Sequence, residues 1–450
     1  MAKRKISNYL LMSKNANASV RYSANDRKGK FRKPKPTVAF KMSEFLTNNV
    51  FAWFIHNWRI RKRRGYPVAA GNSLHYIPMG GRTTPFSLCI AADWASGTPQ
   101  AAYIGGLIAG QRADYTLHLG DTYFSGRPEE LVDNFGDGTG HNRDGLWPRG
   151  RAGSFALLGN HEMYSSGGDF LAMIENPLRR FGTYDAASQK FSGQPAPFFC
   201  LVFDHWVVLA LDTGYDSLQK NWLKRILNKH PNDLNMQLTD VQMQWLKANP
   251  DIFDRKRGLV LLSHHQYASG FKGEDEFVGP ARQLRPFIGD REILWIWGHE
   301  HRFALYNRYA VADGTGITVH GRCIGHGGMI DEHLDDRMID PEKATSRGLR
   351  LYDLREADSF HFNDKTIKVG PNGFAQMTID GEQLTVTYRQ AYWNGERRTK
   401  EYDEAIFTEV WRPDVVSGNV VLVSEKDLTI NPVTGVSALN HWPAIYTAGM

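Results

Sequence analysis

The sequence predicts an α/β fold. Five apolar runs of strand length each lead into polar side chains, in three cases after one glycine, and these runs are residues 86–92, 114–119, 154–158, 258–262 and 293–297. Parallel strands need a crossover connection, and the segments between the first three runs are long enough to supply one each. Ligands in open α/β sheets gather beyond the carboxyl ends of the strands. The same layout therefore predicts that the polar groups after these runs meet in one crevice.

Other elements follow from periodicity and turn residues. The pattern predicts helices at 100–112, 129–134 and 238–246, the last with Thr239 as its N-cap, and hairpins at 198–211 and 373–388. Residues 331–365 are highly charged, and we expect an inserted loop there.

Charge divides the 450 residues into two unlike parts. Residues 1–64 carry 17 Lys and Arg against two acidic residues, a net charge of +15, so the rest of the chain is about −9. We expect a basic disordered tail at 1–36, an extension with an amphipathic helix at 37–85, a main domain at 86–395 and a C-terminal extension at 396–450. The basic head would suit nucleic acid or an anionic surface, although a solvated tail is the simpler interpretation.

The cysteines and apolar runs bear on the compartment. Cys89, Cys200 and Cys323 are far apart and odd in number, which favours buried thiols over a disulfide framework. No apolar run has the roughly 18 residues of a membrane span. We therefore expect no transmembrane segment and a cytoplasmic location.

The groups at the strand ends are metal ligands by type. They are Asp93, Asp121, Asn160 with His161, His264 or His265, and His299 with His301. Mixed nitrogen and oxygen donors without thiolate suit Mn, Fe or Zn in an open catalytic site. So many donors exceed what one catalytic ion takes, which predicts two divalent or trivalent ions roughly 3.5–4 Å apart.

The order Asp, Gly-Asp, Gly-Asn-His-Glu, His-His, Gly-His-Glu-His over about residues 86–330 resembles the calcineurin-like metallophosphoesterase family. The resemblance implies a four-layer α/β/β/α sandwich, so that the domain at 86–395 would be a metallophosphoesterase domain. It also implies that Asp121 bridges both ions, that Asp93 and His301 bind the first, and that Asn160, His264 and His299 bind the second. His161 resembles the family's histidine that stabilises the transition state and can protonate the leaving oxygen.

The first motif departs from the usual family pattern. Most members read Asp-x-His, but here Ala95 stands at the histidine position. Purple acid phosphatases also lack this histidine, and they use a tyrosine three residues after the second-motif aspartate. That position is Phe124 here, and Tyr123 lies one residue early. Either a shifted backbone lets Tyr123 bind the first ion, or that ion has only three protein ligands and its site is weak. The second case is favoured, because a one-residue slip in an extended chain turns the side chain away.

The predicted function is hydrolysis of phosphate esters by a metal-bound hydroxide, with His161 acting on the leaving group and Glu162 or Asp121 orienting its ring. Two alternatives remain open. One is a nuclease or nucleic-acid-binding protein that uses residues 1–64 as a basic arm. The other is a scaffold with weakened catalysis, as the missing histidine would suggest.

Overall fold

The computed structural model describes residues 66, 73–80, 82–136, 146–218, 233–329, 336–362, 365–392 and 402–442. The predicted basic tail and amphipathic helix therefore lie outside the described residues, and the predicted domain boundaries remain predictions. Within the described part of the chain, no helix has both the length and the apolar character needed to cross a membrane.

Two nine-stranded sheets form the centre of the fold. In spatial order, the first sheet contains Leu74–Tyr76, Phe199–Val202, Trp206–Ala210, Gly258–Ser263, Glu292–Trp297, Thr318–Ile324, Phe303–Tyr309, Leu349–Tyr352 and Asn440–His441. The second contains Val420–Asp427, Tyr402–Pro413, Gln383–Tyr392, Asn372–Asp380, Phe86–Ala91, Tyr115–His118, Gly153–Ala156, Gly182–Asp185 and Lys190–Phe191. A separate hairpin pairs Asp358–Phe362 with Lys365–Val369.

Helices lie outside the two sheets. Among the residues that the structure describes, the α-helices are Pro99–Gln111, Pro128–Asn134, Asn160–Met163, Gly168–Glu175, Asp240–Ala248, Val278–Ile288 and Pro341–Ser346. Short 3₁₀ turns occupy Pro177–Arg179, Pro250–Phe253 and Asp336–Met338. As predicted, Thr239 caps its helix, and its hydroxyl accepts a hydrogen bond from the Gln242 amide.

Three apolar clusters show how the layers pack. One cluster lies between the sheets and joins, for example, Ile90 of the second sheet to Leu262 of the first. The other two lie on the outer faces, where Trp245 packs on the first sheet and Ile104 packs on the second. This arrangement is the predicted four-layer α/β/β/α sandwich. Because both faces of each sheet are covered, the central strands are continuous apolar runs without polar alternation.

Parallel pairing aligns the strand ends. In the second sheet, Phe86–Ala91 pairs in parallel with Tyr115–His118, which pairs in parallel with Gly153–Ala156. In the first sheet, Gly258–Ser263 pairs in parallel with Glu292–Trp297. The carboxyl ends of all these strands therefore lie at one edge of the sandwich.

The prediction of a loop over 331–365 is wrong for much of that segment. It contains the helix Pro341–Ser346, the sheet strand Leu349–Tyr352 and the hairpin strand Asp358–Phe362. Two of the charged side chains that suggested a solvated loop are paired instead: Arg347 bonds Glu276, and Arg350 bonds both Glu409 and Glu425.

The strands of residues 402–441 join both sheets, so much of the predicted C-terminal extension packs into the sandwich. Cys89, Cys200 and Cys323 are buried free thiols, as expected. A cytoplasmic location remains a prediction.

Candidate metal centre

The predicted site residues converge at one edge of the sandwich. Every one of them follows the carboxyl end of a strand of the parallel pairs, and they are Asp93, Asp121, Asn160, His161, His264, His299 and His301. Asp93, Asp121, Asn160 and His264 are buried, whereas the other three histidines are half-buried. The cluster is therefore held firmly and is still open on one side.

The first ligand group consists of Asp93, Asp121, Tyr123 and His301. The Tyr123 hydroxyl lies 2.8 Å from Asp93 Oδ1, 3.2 Å from Asp121 Oδ2 and 2.7 Å from His301 Nε2. His301 Nε2 lies 3.4 Å from Asp93 Oδ1. Two carboxylates, a phenol and an imidazole thus surround one point.

The expectation that Tyr123 turns away is wrong. It assumed an extended chain after Asp121, but Asp121 has a left-handed φ of 74°, so side chains do not simply alternate there. The Tyr123 amide donates to the carbonyl of Ala95 at 2.9 Å. The backbone at the position of the missing histidine therefore anchors the residue whose hydroxyl reaches Asp93.

The second ligand group consists of Asp121, Asn160, His264 and His299. His264 Nε2 lies 3.2 Å from Asn160 Oδ1, 3.4 Å from Asp121 Oδ1 and 3.3 Å from His299 Nδ1. This group is richer in nitrogen than the first.

Asp121 belongs to both groups through different atoms. Its Oδ2 faces the Tyr123 hydroxyl of the first group, while its Oδ1 faces His264 of the second. A carboxylate placed in this way can bind one cation with each oxygen.

The backbone around the site includes conformations that side chains rarely adopt. Asp93, Asp121 and His299 have φ values of 56°, 74° and 65°. Such residues are uncommon and persist where the surrounding structure enforces them. Here the Asp93 amide donates to the Gly120 carbonyl at 3.0 Å, and the His299 amide donates to Asp93 Oδ2 at 2.8 Å.

Gly159 is required by a close approach. A Cβ atom at this position would lie 2.1 Å from Asp121 Oδ1 and 2.7 Å from the Asp121 amide nitrogen. Any side chain would displace the shared carboxylate, which explains the glycine in the Gly-Asn-His-Glu motif.

Backbone carbonyls fix two of the imidazole rings. His264 Nδ1 lies 2.9 Å from the Leu119 carbonyl, and His161 Nδ1 lies 2.6 Å from the Phe124 carbonyl. A carbonyl only accepts, so Nδ1 carries the hydrogen in both rings. Nε2 of His264 is then available as a ligand. Nε2 of His161 lies 3.8 Å from Asp121 Oδ2.

The Phe124 carbonyl is thus the partner that orients His161. Glu162, one of the two partners considered from the sequence, is engaged elsewhere: its Oε2 accepts from the Gly159 amide at 2.8 Å and from the Asp121 amide at 3.3 Å. It ties the two strand-end turns together. Burial raises the pKa of Glu162 to about 7.

The charges of the site favour cation binding. Burial alone would raise the pKa of Asp121, but His264 and His161 together hold it well below its usual range. Burial opposes the charged form of His264, yet Asp121 raises its pKa to about 9. In the absence of a cation, a proton on His264 therefore balances the Asp121 carboxylate at neutral pH. A metal ion would supply the same compensation.

Two further residues near the second group, His265 and Thr213, form a pair that the sequence did not indicate. His265 Nδ1 lies 3.1 Å from the Thr213 hydroxyl, and the ring centroids of His265 and His299 are 4.6 Å apart. Ligand atoms of His264, His265 and His299 lie within 4.8 Å of one another. The choice between His264 and His265 favours His264, because its Nε2 faces Asn160 and Asp121. Thr213 carries no sequence signal, since a single threonine after a strand is commonplace.

The donor set fits two metal ions. Ligand atoms of Asp93, Asp121 and His301 lie within 4.8 Å of one another, as do those of the three histidines above. Carboxylate, phenol, amide and imidazole donors suit Mn, Fe or Zn.

The sequence was compared with known protein families and with known proteins. Residues 90–303 match the family model for calcineurin-like phosphoesterases. No curated protein sequence matches the chain.

Three solved structures are similar in part. PhoD is 12% identical with a TM-score of 0.47, covering 80% of this chain and 74% of that one. GAP50, described as the anchor in the inner membrane complex of Plasmodium, is 12% identical with a TM-score of 0.41, covering 78% and 93%. A dimetal phosphatase from Danio rerio is 13% identical with a TM-score of 0.33, covering 71% and 98%.

Proposed function

We propose that this protein, whose residues 90–303 match the family model for calcineurin-like phosphoesterases, hydrolyses phosphate esters at a centre that holds two metal ions. The observation that carries the proposal is the position of Asp121, whose two carboxylate oxygens face different ligand groups. A carboxylate shared in this way can hold two ions as close together as two-metal catalysis needs.

In this proposal, Asp93, Asp121, Tyr123 and His301 hold the first ion, and Asp121, Asn160, His264 and His299 hold the second. The ions are Mn, Fe or Zn in this donor set. When bound, they supply Lewis-acid activation of the phosphoryl group and of the attacking water. The protein side chains position the ester and complete the charge compensation.

His161 acts on the phosphate. Its ring is fixed through Nδ1 by the Phe124 carbonyl, which leaves Nε2 for the substrate. Burial lowers the pKa of His161 despite the opposing effect of Asp121. An anionic phosphoryl oxygen beside Nε2 would favour the protonated ring. His161 can then stabilise the developing charge or give its proton to the leaving oxygen.

The proposal is tested by hydrolysis of a panel of esters by the full chain loaded with Mn, Fe or Zn. The panel contains aryl phosphate, bis-aryl phosphate, nucleotides, cyclic nucleotides and single-stranded DNA. Asn160→Ala and His299→Ala remove proposed ligands, so we expect loss of metal and of activity. His161→Ala should keep the metal and lower kcat by about 10²-fold or more.

His205→Ala is the matched control, because His205 lies in the hairpin turn before Trp206, at the opposite end of that strand from the site. It should leave both metal content and activity unchanged. Full activity in Asn160→Ala and His299→Ala would place the reaction elsewhere. Absence of hydrolysis for every ester in the metal-loaded protein would overturn the proposal.

The nucleic-acid alternative depends on residues 1–64, which lie outside the described residues, and it remains a prediction. Binding to single-stranded DNA that weakens steeply with salt and disappears on deletion of residues 1–36 would support it. The scaffold alternative predicts less than about half an ion per chain after purification with Mn or Fe, against the two ions that a dinuclear centre holds.

A further inference from the structure

A narrow cleft lies beside the first ligand group, with His301 as a shared wall. The space in it that is open to a water-sized group is about 20 Å³, which is room for a single hydroxyl. Its other walls include Phe303, His326, Asp353, Asn372 and Gln390. A group bound in this cleft would lie next to whatever occupies the metal centre.

Gln390 presents an unused amide donor to the cleft. The side chain is fully buried, and its Oε1 accepts a hydrogen bond from the Arg355 guanidinium at 2.5 Å. A guanidinium only donates, so the amide orientation is fixed with Nε2 at the other end. Nε2 is buried and has no hydrogen-bond partner among the described residues. A buried donor without a partner is costly, which suggests that a bound molecule accepts from it.

His326 is the second polar group with unused capacity. It is 4% exposed, its ring packs on Phe303, and neither ring nitrogen has a partner of good geometry in the part of the chain that is described. Burial lowers the pKa of His326 to about 4, against smaller raising effects of Asp353 and the Ile324 backbone. The neutral ring offers one donor and one acceptor.

Gly373 lies next to both of these side chains. It pairs with Gln390 across the strands, and a Cβ atom at Gly373 would lie 2.6 Å from His326 Nε2 and 2.9 Å from Gln390 Cγ. His326 and Gln390 therefore meet at one place, and glycine leaves the room between them.

Asp353 also lines the cleft, and its carboxylate is paired with Arg355. Its Oδ1 accepts from Arg355 Nε and its Oδ2 from Arg355 Nη2, both at 3.0 Å. The same guanidinium thus holds Asp353 and Gln390. The cleft offers an amide donor together with an imidazole that can donate or accept.

We propose that this cleft binds a hydroxyl group on the alcohol part of the substrate, so that the protein prefers phosphate esters whose alcohol carries a further hydroxyl. The inference rests on the proposed phosphoesterase function. A hydroxyl both donates and accepts, which matches His326 and Gln390. An apolar group would leave the Gln390 amide buried without a partner, and a second anionic group would lie beside the Asp353 carboxylate.

The test compares glycerol 3-phosphate with propyl phosphate, which share a carbon chain and differ in hydroxyls. The glycerol and propyl esters are both supplied to the metal-loaded full chain as the phosphate monoester and as the methyl diester. p-Nitrophenyl phosphate and the p-nitrophenyl diester serve as reference esters whose alcohol carries no further hydroxyl. We expect the wild type to prefer the glycerol ester by about tenfold in kcat/KM, the size of one or two hydrogen bonds.

Two variants remove the recognition in different ways. Gln390→Glu keeps an oxygen for Arg355 and replaces the donor by an acceptor, and His326→Phe keeps the ring packing and removes both nitrogens. Both should lose the preference while p-nitrophenyl ester hydrolysis stays within about twofold of wild type, a change well below the loss of one hydrogen bond. Gln383→Glu, the same change at the far end of the Gln390 strand, should keep the preference. Thermal unfolding shows whether His326→Phe folds, and Gln390→Glu answers the question if it does not.

The outcomes separate the two claims. If the p-nitrophenyl esters are hydrolysed but the wild type shows no preference, or the two variants keep it, the inference is overturned and the proposed function stands. If no ester is hydrolysed, the proposed function is overturned and the inference with it.

Discussion

The two ligand groups share Asp121 and differ in their other donors. The first adds a carboxylate, a phenol and one imidazole, from Asp93, Tyr123 and His301. The second adds an amide and two imidazoles, from Asn160, His264 and His299. Oxygen-rich sites favour harder ions and imidazole-rich sites favour Zn and other late divalent ions. The comparison therefore predicts two sites that differ in metal preference, with Tyr123 as the residue that sets the first apart.

The groups also differ in how the chain builds them. In the second, His264 follows its strand directly and the Leu119 carbonyl fixes its ring. In the first, the tyrosine lies on an irregular segment whose backbone is tied to Ala95. A regular strand end therefore supplies His264, whereas irregular backbone supplies the phenol.

The largest expected effect comes from removing what the groups share. Asp121→Asn keeps the size of the side chain and removes its charge, so both ions lose a ligand. We expect metal content to fall from two ions to below one per chain and kcat/KM to fall by about 10³-fold, since each ion contributes several kcal/mol. Metal analysis and ester hydrolysis measure these effects.

Asp204→Asn is the matched control for this change, because Asp204 is exposed in the hairpin turn at the other end of the fold. It should have no effect on either quantity. An Asp121→Asn protein that still bound two ions would show that the groups do not depend on a shared carboxylate.

A smaller and one-sided effect is expected from Tyr123→Phe. The ring is fully buried, so phenylalanine keeps its packing and removes only the hydroxyl that contacts Asp93 and His301. Affinity for the first ion should fall about 10- to 100-fold, the range seen when a group supporting a metal is removed, while the second ion stays bound. Calorimetric titration of the metal-free protein with Mn²⁺ resolves the two sites.

Asn160→Ala is the mirror-image control, and it should weaken the second ion and spare the first. If Tyr123→Phe weakened both ions equally, or neither, the separation into two groups with separate ligands would be wrong.

A physical rule separates the site residues that could be predicted from the sequence from those that could not. The strand-end ligands were predictable because apolar runs, glycine turns and parallel pairing all constrain the same positions, as for Asn160 after Gly159. Tyr123 was not predictable, since its direction depends on left-handed backbone at Asp121 and on a bond to a carbonyl 28 residues earlier in the chain, at Ala95. The strand Leu349–Tyr352 was hidden because its neighbouring charges are neutralised by partners far away in the sequence, such as Glu409.

The smallest effect on activity concerns the residues behind the second ligand group. Thr213, which contacts His265, follows Asp212, a carboxyl that is 2% exposed. Asp212 Oδ2 accepts from the Tyr66 hydroxyl at 2.8 Å, and Oδ1 accepts from the Gly214 amide at 2.7 Å. Burial raises the pKa of Asp212 from 3.8 to about 7 despite these bonds.

Asp212→Asn should therefore change how stability depends on pH. Between pH 4 and 7 the folded protein holds a proton on Asp212 that the unfolded chain has released, so the free energy of unfolding falls as pH rises through this window. Asparagine keeps an oxygen for Gly214 and cannot ionise, so the variant should lose part of this fall and be about 1–3 kcal/mol more stable than wild type at pH 8. Urea unfolding of both metal-free proteins at pH 5 and pH 8 measures the free energy of unfolding of each. The histidines titrate in both proteins, so their contribution disappears when one free energy is subtracted from the other.

Binding of the first ion should be unchanged, because Asp212 lies behind the second group. Parallel pH profiles in the two proteins would mean that Asp212 is ionised in the folded state at pH 5 and that its burial is compensated by Tyr66 and the backbone amides.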